Sequence, residues 1–303
     1  MDIIGKKYFY FALSLLVVVP GLISLILYGL NLSIDFTGGS RLTLSFPKKV
    51  DKEMTLKIRN ALVQQKVNVS VLETSNKLVF VRISPMDQNQ NIKFVNSISK
   101  EFKGVKQTEF ETIGPTIGKE TTTNAIKAVI LASVLIVLYI AWSFRKVPKP
   151  ASSLRFGICA IVALIHDVLV VVGIFSILGH FFKVEIDSLF VTAILTIIGF
   201  SVHDTIVVFD RIRENLKRMV GVPFKQVVNE SILQTLGRSL NTSLTVILVL
   251  FSLLLFGGES IRWFVIALLI GIISGTYSSI FNASPLLVLW HELSLRRHSG
   301  KRG

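Results

Sequence analysis

The chain has 303 residues, of which 51% are hydrophobic and 17% charged, and a formal net charge of +14; its mean hydropathy is +0.62. A soluble domain carries about 25% charged residues, and the apolar excess here falls in runs of about 20 residues, enough to cross a bilayer core of roughly 30 Å, so the composition excludes a soluble protein. The single cysteine, Cys159, excludes an internal disulfide and a cysteine-based metal site, and much of the basic charge flanks apolar runs, where it sets topology instead of binding nucleic acid.

Residues 1–7 form a short basic leader, and 8–30 are apolar throughout. That run exceeds the 7–15-residue core of a signal peptide and no small-residue cleavage site follows, so it reads as a retained transmembrane helix with a possible kink at Pro20-Gly21. Residues 31–123 are the one sizeable soluble stretch. Arg41 to Phe46 alternate with strand period, and Asp51 can cap a helix over 52–65 with Met54, Ile58, Ala61 and Leu62 on one face. Residues 67–72 and 77–83 read as a hairpin around Ser75-Asn76, 90–102 as a helix, and 105–112 as a last strand. The order β-α-β-β-α-β is that of a ferredoxin-like unit. It contains no catalytic-looking cluster of His, Cys or carboxylate, which favours a binding or mechanical role.

Five more apolar spans follow, at 125–144, 156–178, 186–209, 240–256 and 263–290. The expected fold is an all-α polytopic membrane bundle of six transmembrane helices with an inserted α+β domain. Its segments are 1–30, 31–123, 124–290 with a loop at about 210–239, and a basic tail at 291–303. Arg145, Lys146, Lys149 and Arg155 follow the second span; Arg211, Arg213, Lys217, Arg218, Lys225 and Arg238 separate the fourth from the fifth; Arg296, Arg297, Lys301 and Arg302 end the chain. The alternate short loops carry only Lys183 and Arg262. The positive-inside rule therefore puts both termini in the cytoplasm and 31–123 outside. Residues 223–236 have Phe224, Val227, Val228, Ile232 and Leu236 on one side, the pattern of an amphipathic helix at the membrane surface or of a loop helix packed on the bundle.

The fourth span holds the costliest residue. Asp204 lies roughly 8 Å, at 1.5 Å per residue, inside the point where charge resumes at Asp210, and an acid at that depth costs roughly 2.5–3.5 kcal/mol on insertion scales. Its side chain is too short to snorkel, so it faces other helices or water, or holds a proton. Arg238, entering the fifth span from the same side, is the candidate cation beside it; the alternative is a static Asp–Arg pair that only fixes packing. His203 is a polar neighbour. His166-Asp167 is a second intramembrane pair, open to a relay role or to helix-bridging hydrogen bonds; neighbours on a helix point about 100° apart and need not bond each other. Gly271 and Gly275, with Ser274, Ser278 and Ser279, read as a close-packing surface. HExxH, Walker and GxSxG motifs are absent, so the chain is read as no enzyme, and without a nucleotide site its work must come from an ion gradient, worth about 2.3 kcal/mol per charge per 100 mV.

The motif Gly199-Phe-Ser-Val-His-Asp-Thr-Ile-Val-Val-Phe-Asp-Arg-Ile-Arg-Glu-Asn215 resembles the SecD/SecF protein-export family, specifically its smaller SecF branch. Ile34-Asp35-Phe36-Thr37-Gly38-Gly39, Glu111 to Gly118 with Gly114-Pro115, His166-Asp167-Val168-Leu169, Asn241-Thr242-Ser243 and Gly275 to Phe281 support the likeness, which covers nearly the whole chain. One departure is visible: the family commonly has Asn where this chain has His203. The resemblance implies half of an RND-type transporter that pairs with SecD, with the SecYEG translocon and YajC as further candidate partners, and that uses the proton motive force to assist preprotein translocation across the bacterial inner membrane. It implies Asp204 as relay carboxylate and Arg238 as its partner. No cofactor is implied beyond the gradient, and a single Asp with hydroxyl neighbours suits H⁺ or Na⁺. The alternatives are a half-transporter exporting a small molecule or lipid, and a membrane scaffold.

Overall fold

The computed structural model describes residues 2–64, 69–75, 77–145, 147–148 and 151–299. Val67 and Asn76 of the expected hairpin, Lys146 and Lys149 of the expected basic loop, and Lys301 and Arg302 of the expected tail lie outside the described residues. The chain divides into two compact units, Met1–Asn31 with Lys127–Gly303, and Leu32–Ile126.

The Leu32–Ile126 unit opens with α2 (Ile34–Thr37), capped by the Ser33 hydroxyl accepting from Asp35 N, and continues with β1 (Gly39–Ser45), α3 (Lys52–Gln64), β2 (Val69–Ser75), β3 (Leu78–Ile83), α4 (Gln88–Glu101) and β4 (Lys106–Ile113). The start of α4 is set by sequence: Asp87 accepts from Gln90 N while the Gln90 side chain accepts from Asp87 N, a reciprocal capping box. The strands form one antiparallel sheet in the order β2-β3-β1-β4. Alternation puts Leu42, Leu44, Val79, Val81 and Ile83 on one face, where Ile58 of α3 and Phe94 and Ile98 of α4 cover them. The opposite face carries the Arg41–Glu111 pair at 2.7 Å.

Among the described residues six helical stretches are long and apolar enough to cross a membrane. They are α1 (Lys7–Tyr28) with a preceding 3₁₀ turn (Ile4–Lys6), α5 (Pro115–Ser143), α6 (Ser153–Phe182), α7 (Ser188–Arg218), α8 (Phe224–Phe256), and α9 (Glu259–Ser278), which passes through a π-helical turn (Ser279–Ala283) into α10 (Ser284–Ser299). In the bundle α7 packs along α6, α8 and α9, and α1 lies on α6. Glycines make the second contact possible: a Cβ on Gly21 would stand 2.9 Å from the Gly173 Cα. The last turn of α5 is anchored by Phe144 against Phe156 and Phe209, with ring centroids 5.4 and 5.8 Å apart. Higher up, Ile130, Leu131, Val134, Leu135 and Leu138 are exposed.

Several helix ends differ from the sequence reading. The charged stretch after Phe209 stays helical to Arg218, and the expected tail remains helical through Ser299. The 223–236 segment is no separate helix: it is the first half of α8, which runs through Gly237 unbroken. Its apolar face is buried in protein, not laid on lipid. The Phe224 ring lies tilted against His291 with centroids 4.7 Å apart, Ser231 accepts from Asn215 Nδ2 at 2.9 Å, and Asn229 Oδ1 accepts from Ile3 N at 2.8 Å.

Candidate functional site

The hydroxyl-bearing faces of α7 and α9 meet the acid of α6. Asp167 is fully buried. Its Oδ1 accepts from Ser274 Oγ at 2.7 Å and faces His166 Nδ1 at 3.0 Å; its Oδ2 accepts from Ser201 Oγ and from Ser278 Oγ, both at 2.6 Å. A carboxylate offers about four lone-pair positions, and all four are occupied, the three serine bonds at lengths typical of charge-assisted O–H···O bonds. Helix neighbours need not bond each other, yet here His166 Nδ1 reaches its neighbour's carboxylate. His166 Nε2 in turn lies 3.3 Å from Asn282 Nδ2, which donates to Ser14 Oγ at 2.6 Å.

The close approach has a steric origin. A Cβ on Gly275 would sit 3.2 Å from the Ser201 Cα and 3.7 Å from Asp167 Oδ2, and one on Gly271 would overlap the Ile197 side chain. The small-residue surface on α9 does pack closely, as expected, but its serines also serve the acid. Thr205 and Ser279 hydroxyls, 2.9 Å apart, extend the polar seam by one turn.

Asp204 is as deeply buried but far more loosely held. The Thr276 hydroxyl reaches its Oδ2 at 3.5 Å and His203 Nδ1 stands 3.6 Å from its Oδ1. Thr276 Oγ1 is also 2.5 Å from Ser243 Oγ of α8, so the carboxylate sits where α7, α8 and α9 converge. The His203 side chain is 66% exposed against 3% for Asp204. Arg238 is exposed, and the described contacts of Asp204 do not include it; the expected pair is not formed here. Arg238 belongs to an outward polar face of α8 with Asn241 and Thr245, at spacings of 3 and 4, while Leu240, Leu244 and Leu248 line another. On α7, Thr192, Thr196, Gly199 and His203 form a matching exposed stripe at helical spacing, and a Cβ on Gly199 would meet nothing within 4 Å.

A third constellation lies in the Leu32–Ile126 unit. Gly38 and Gly39 have φ of +70° and +129°, which a side chain disfavours. A Cβ on Gly38 would stand 3.0 Å from the Pro115 Cα, and one on Gly118 only 2.8 Å from Gly38 N. Thr122 Oγ1 donates to Phe36 O at 3.2 Å. The two glycines thus let the chain turn from α2 into β1 while the first turns of α5 press against it. Asp35 sits in α2, and Gly114 precedes Pro115 with open space around its Cα. Sequence reading named Asp204, His203, His166 and Asp167. It missed Ser14, Ser201 and Asn282 as partners of the second pair and Thr276 as partner of the first. Only the i, i+4 spacing of Ser274 and Ser278 hinted at a polar function.

Two family models match this arrangement: "Protein export membrane protein SecD/SecF, C-terminal" over residues 94–293 and the SecD/SecF GG motif over residues 23–50. The chain belongs to the SecD/SecF family. The protein translocase subunit SecF of Thermobaculum terrenum is 49% identical, over 98% of this chain and 96% of that one. The SecDF of Bacillus subtilis is 35% identical over 99% of this chain and 39% of its own. A crystal structure of SecDF from Thermus thermophilus, described as a translocon-associated membrane protein, superposes with a TM-score of 0.84 at 34% identity, over 96% of this chain and 39% of that chain. The chain therefore spans about two fifths of the SecDF proteins it matches and nearly all of the SecF one. For this family the glycine pair at 38–39 and the acid-bearing α7 both fall within matched segments.

Proposed function

We propose that this chain is a subunit of the Sec protein-export machinery which, paired with SecD, uses the proton motive force to assist preprotein translocation across the cytoplasmic membrane. The observation that carries the reading is the outward polar stripe of α7, Thr192 to His203, directly beside a buried acid with weak partners. A polar stripe facing hydrocarbon is costly, so it calls for protein or water against it, and the remainder of the longer SecDF chains supplies a natural covering half. SecD is that half in this reading; SecYEG and YajC follow as partners from the family alone. Asp204 takes and releases the proton, because long contacts to Thr276 at 3.5 Å and His203 at 3.6 Å, with Ser243 as a third polar neighbour, leave its carboxylate free to change charge with little rearrangement. Arg238 joins Asp204 only once the partner covers both faces. Both termini lie in the cytoplasm, and Leu32–Ile126 outside it. That unit is ferredoxin-like, supported by its β2-β3-β1-β4 order with both helices on one face.

The test is preprotein translocation into membrane vesicles containing the complex, with and without a proton gradient. Asp204→Asn keeps shape and removes charge, so complex assembly stays normal while the gradient's stimulation is lost. Full stimulation in the variant sinks the relay.

A further inference from the structure

His166 is a titratable group that the Asp204 relay does not use. We propose that His166, held between Asp167 and Asn282, is a second proton-holding site whose charge state is read by rotation of the Asn282 amide. The hydrogen-bond inventory carries the inference. Asp167 accepts from three serine hydroxyls, and its fourth lone-pair position faces His166 Nδ1, so the imidazole is the one group of this cluster with a nitrogen free to take up a proton. An exchangeable proton in this cluster therefore falls to the imidazole. In the proposed first state Nδ1 donates to Asp167 Oδ1. Nε2 then accepts from the Asn282 amide nitrogen, and that state holds a single ring proton.

The second state is visible in what is left unsatisfied. Asn282 is more than nine-tenths buried, and its Oδ1 has no hydrogen-bond partner. When Nε2 gains a proton it needs an acceptor, and turning the amide over brings that orphaned oxygen to it. The Ser14 hydroxyl, which now accepts from Nδ2, then donates to Oδ1. Amide orientation and imidazole charge are thus locked together, giving two discrete arrangements that a proton selects. Asn282 lies in the π-helical turn Ser279–Ala283, and such turns recur at functional sites. Ser14 is on α1. The switch therefore joins α1, α6 and the last span. Of the other ionisable groups on these elements, Tyr277 sends its hydroxyl to Tyr10 O at 2.8 Å and also faces the Ser14 hydroxyl; α7 contributes the Ser201 hydroxyl to Asp167.

The site stands apart from the Asp204 reading, and its test reads ionisation, not export. The full chain, labelled with ¹⁵N in its histidines and asparagines, is placed in lipid bilayers and followed by solid-state NMR from about pH 5 to about pH 8, the range in which imidazoles titrate. His166 is assigned by the signal lost in His166→Gln. The expected result is one protonated ring nitrogen at high pH and two at low pH, with the Asn282 side-chain amide signal moving at the same midpoint. Asn282→Leu leaves one protonated nitrogen throughout, and Asp204→Asn leaves the His166 titration in place. A His166 that keeps one state throughout in the wild-type protein, a stationary Asn282 signal, an unchanged titration in Asn282→Leu, or its loss in Asp204→Asn overturns the proposal.

Discussion

The Ser201 hydroxyl donates to Asp167 Oδ2 at 2.6 Å from a position one helical turn before Asp204 on α7. One face of one helix thus serves two buried acids in opposite ways: it supplies a strong donor to the acid of α6 and presents its own acid almost bare.

Stability separates the two acids. Asp167→Asn puts an amide N–H₂ among hydroxyls already committed as donors, and leaving buried polar groups unpaired there costs about 1–3 kcal/mol. Asp204→Asn disturbs long contacts to Thr276 and His203, with Ser243 beside them, and costs about 1 kcal/mol or less. Thermal unfolding of the purified full chain in detergent checks the order; equal losses would mean that the four-donor hub does not hold the bundle.

Single hydroxyls at the hub are worth less than the acid they serve. Ser278→Ala removes one of three serine donors and is expected to lower stability by about 0.6 kcal/mol, the average for interhelical hydrogen bonds in membranes, and by no more than about 1.7 kcal/mol. Ser252→Ala, on an exposed face bonded only to its own helix, provides the comparison and should change nothing measurable. A Ser278→Ala protein as stable as wild type argues against a saturated Asp167.

His203→Asn restores the residue common in the family. Because His203 is exposed and 3.6 Å from Asp204 Oδ1, the substitution is expected to keep gradient-stimulated translocation in the vesicle assay. Loss of that stimulation in His203→Asn would make the imidazole itself part of the relay.

The glycine-rich turn gives the steric prediction. Gly118→Ala places a Cβ 2.8 Å from Gly38 N, backbone against backbone, and overpacking of this kind costs about 1–3 kcal/mol. Gly114→Ala, four residues earlier in the same motif, meets nothing within 4 Å and is tolerated. Urea or thermal unfolding of the full chain distinguishes them, and equal sensitivity would place the motif's importance outside packing.

Length and periodicity by themselves determine the six apolar helices, because a backbone in hydrocarbon must satisfy its own hydrogen bonds. Strand alternation and the Asp87 capping box likewise determine most of the soluble unit, since both are local signals read within a few residues. The costliest groups, Asp204 and Asp167, were legible for the same reason: an acid in an apolar run stands out without any partner in view. What they touch was not. Sequence logic paired Asp204 with Arg238, the nearest basic residue by depth, yet rotation about α8 turns Arg238 outward and Ser243 inward. It left His166 and Asp167 facing apart, yet serines from α7 and α9 draw the acid into a shared centre, with Asn282 at the far side of the imidazole. Such contacts join residues 34 to 116 positions apart, and their geometry depends on helix rotation and on how near Gly275 lets two backbones come. Only the packed bundle decides which acid is saturated and which is left free to act.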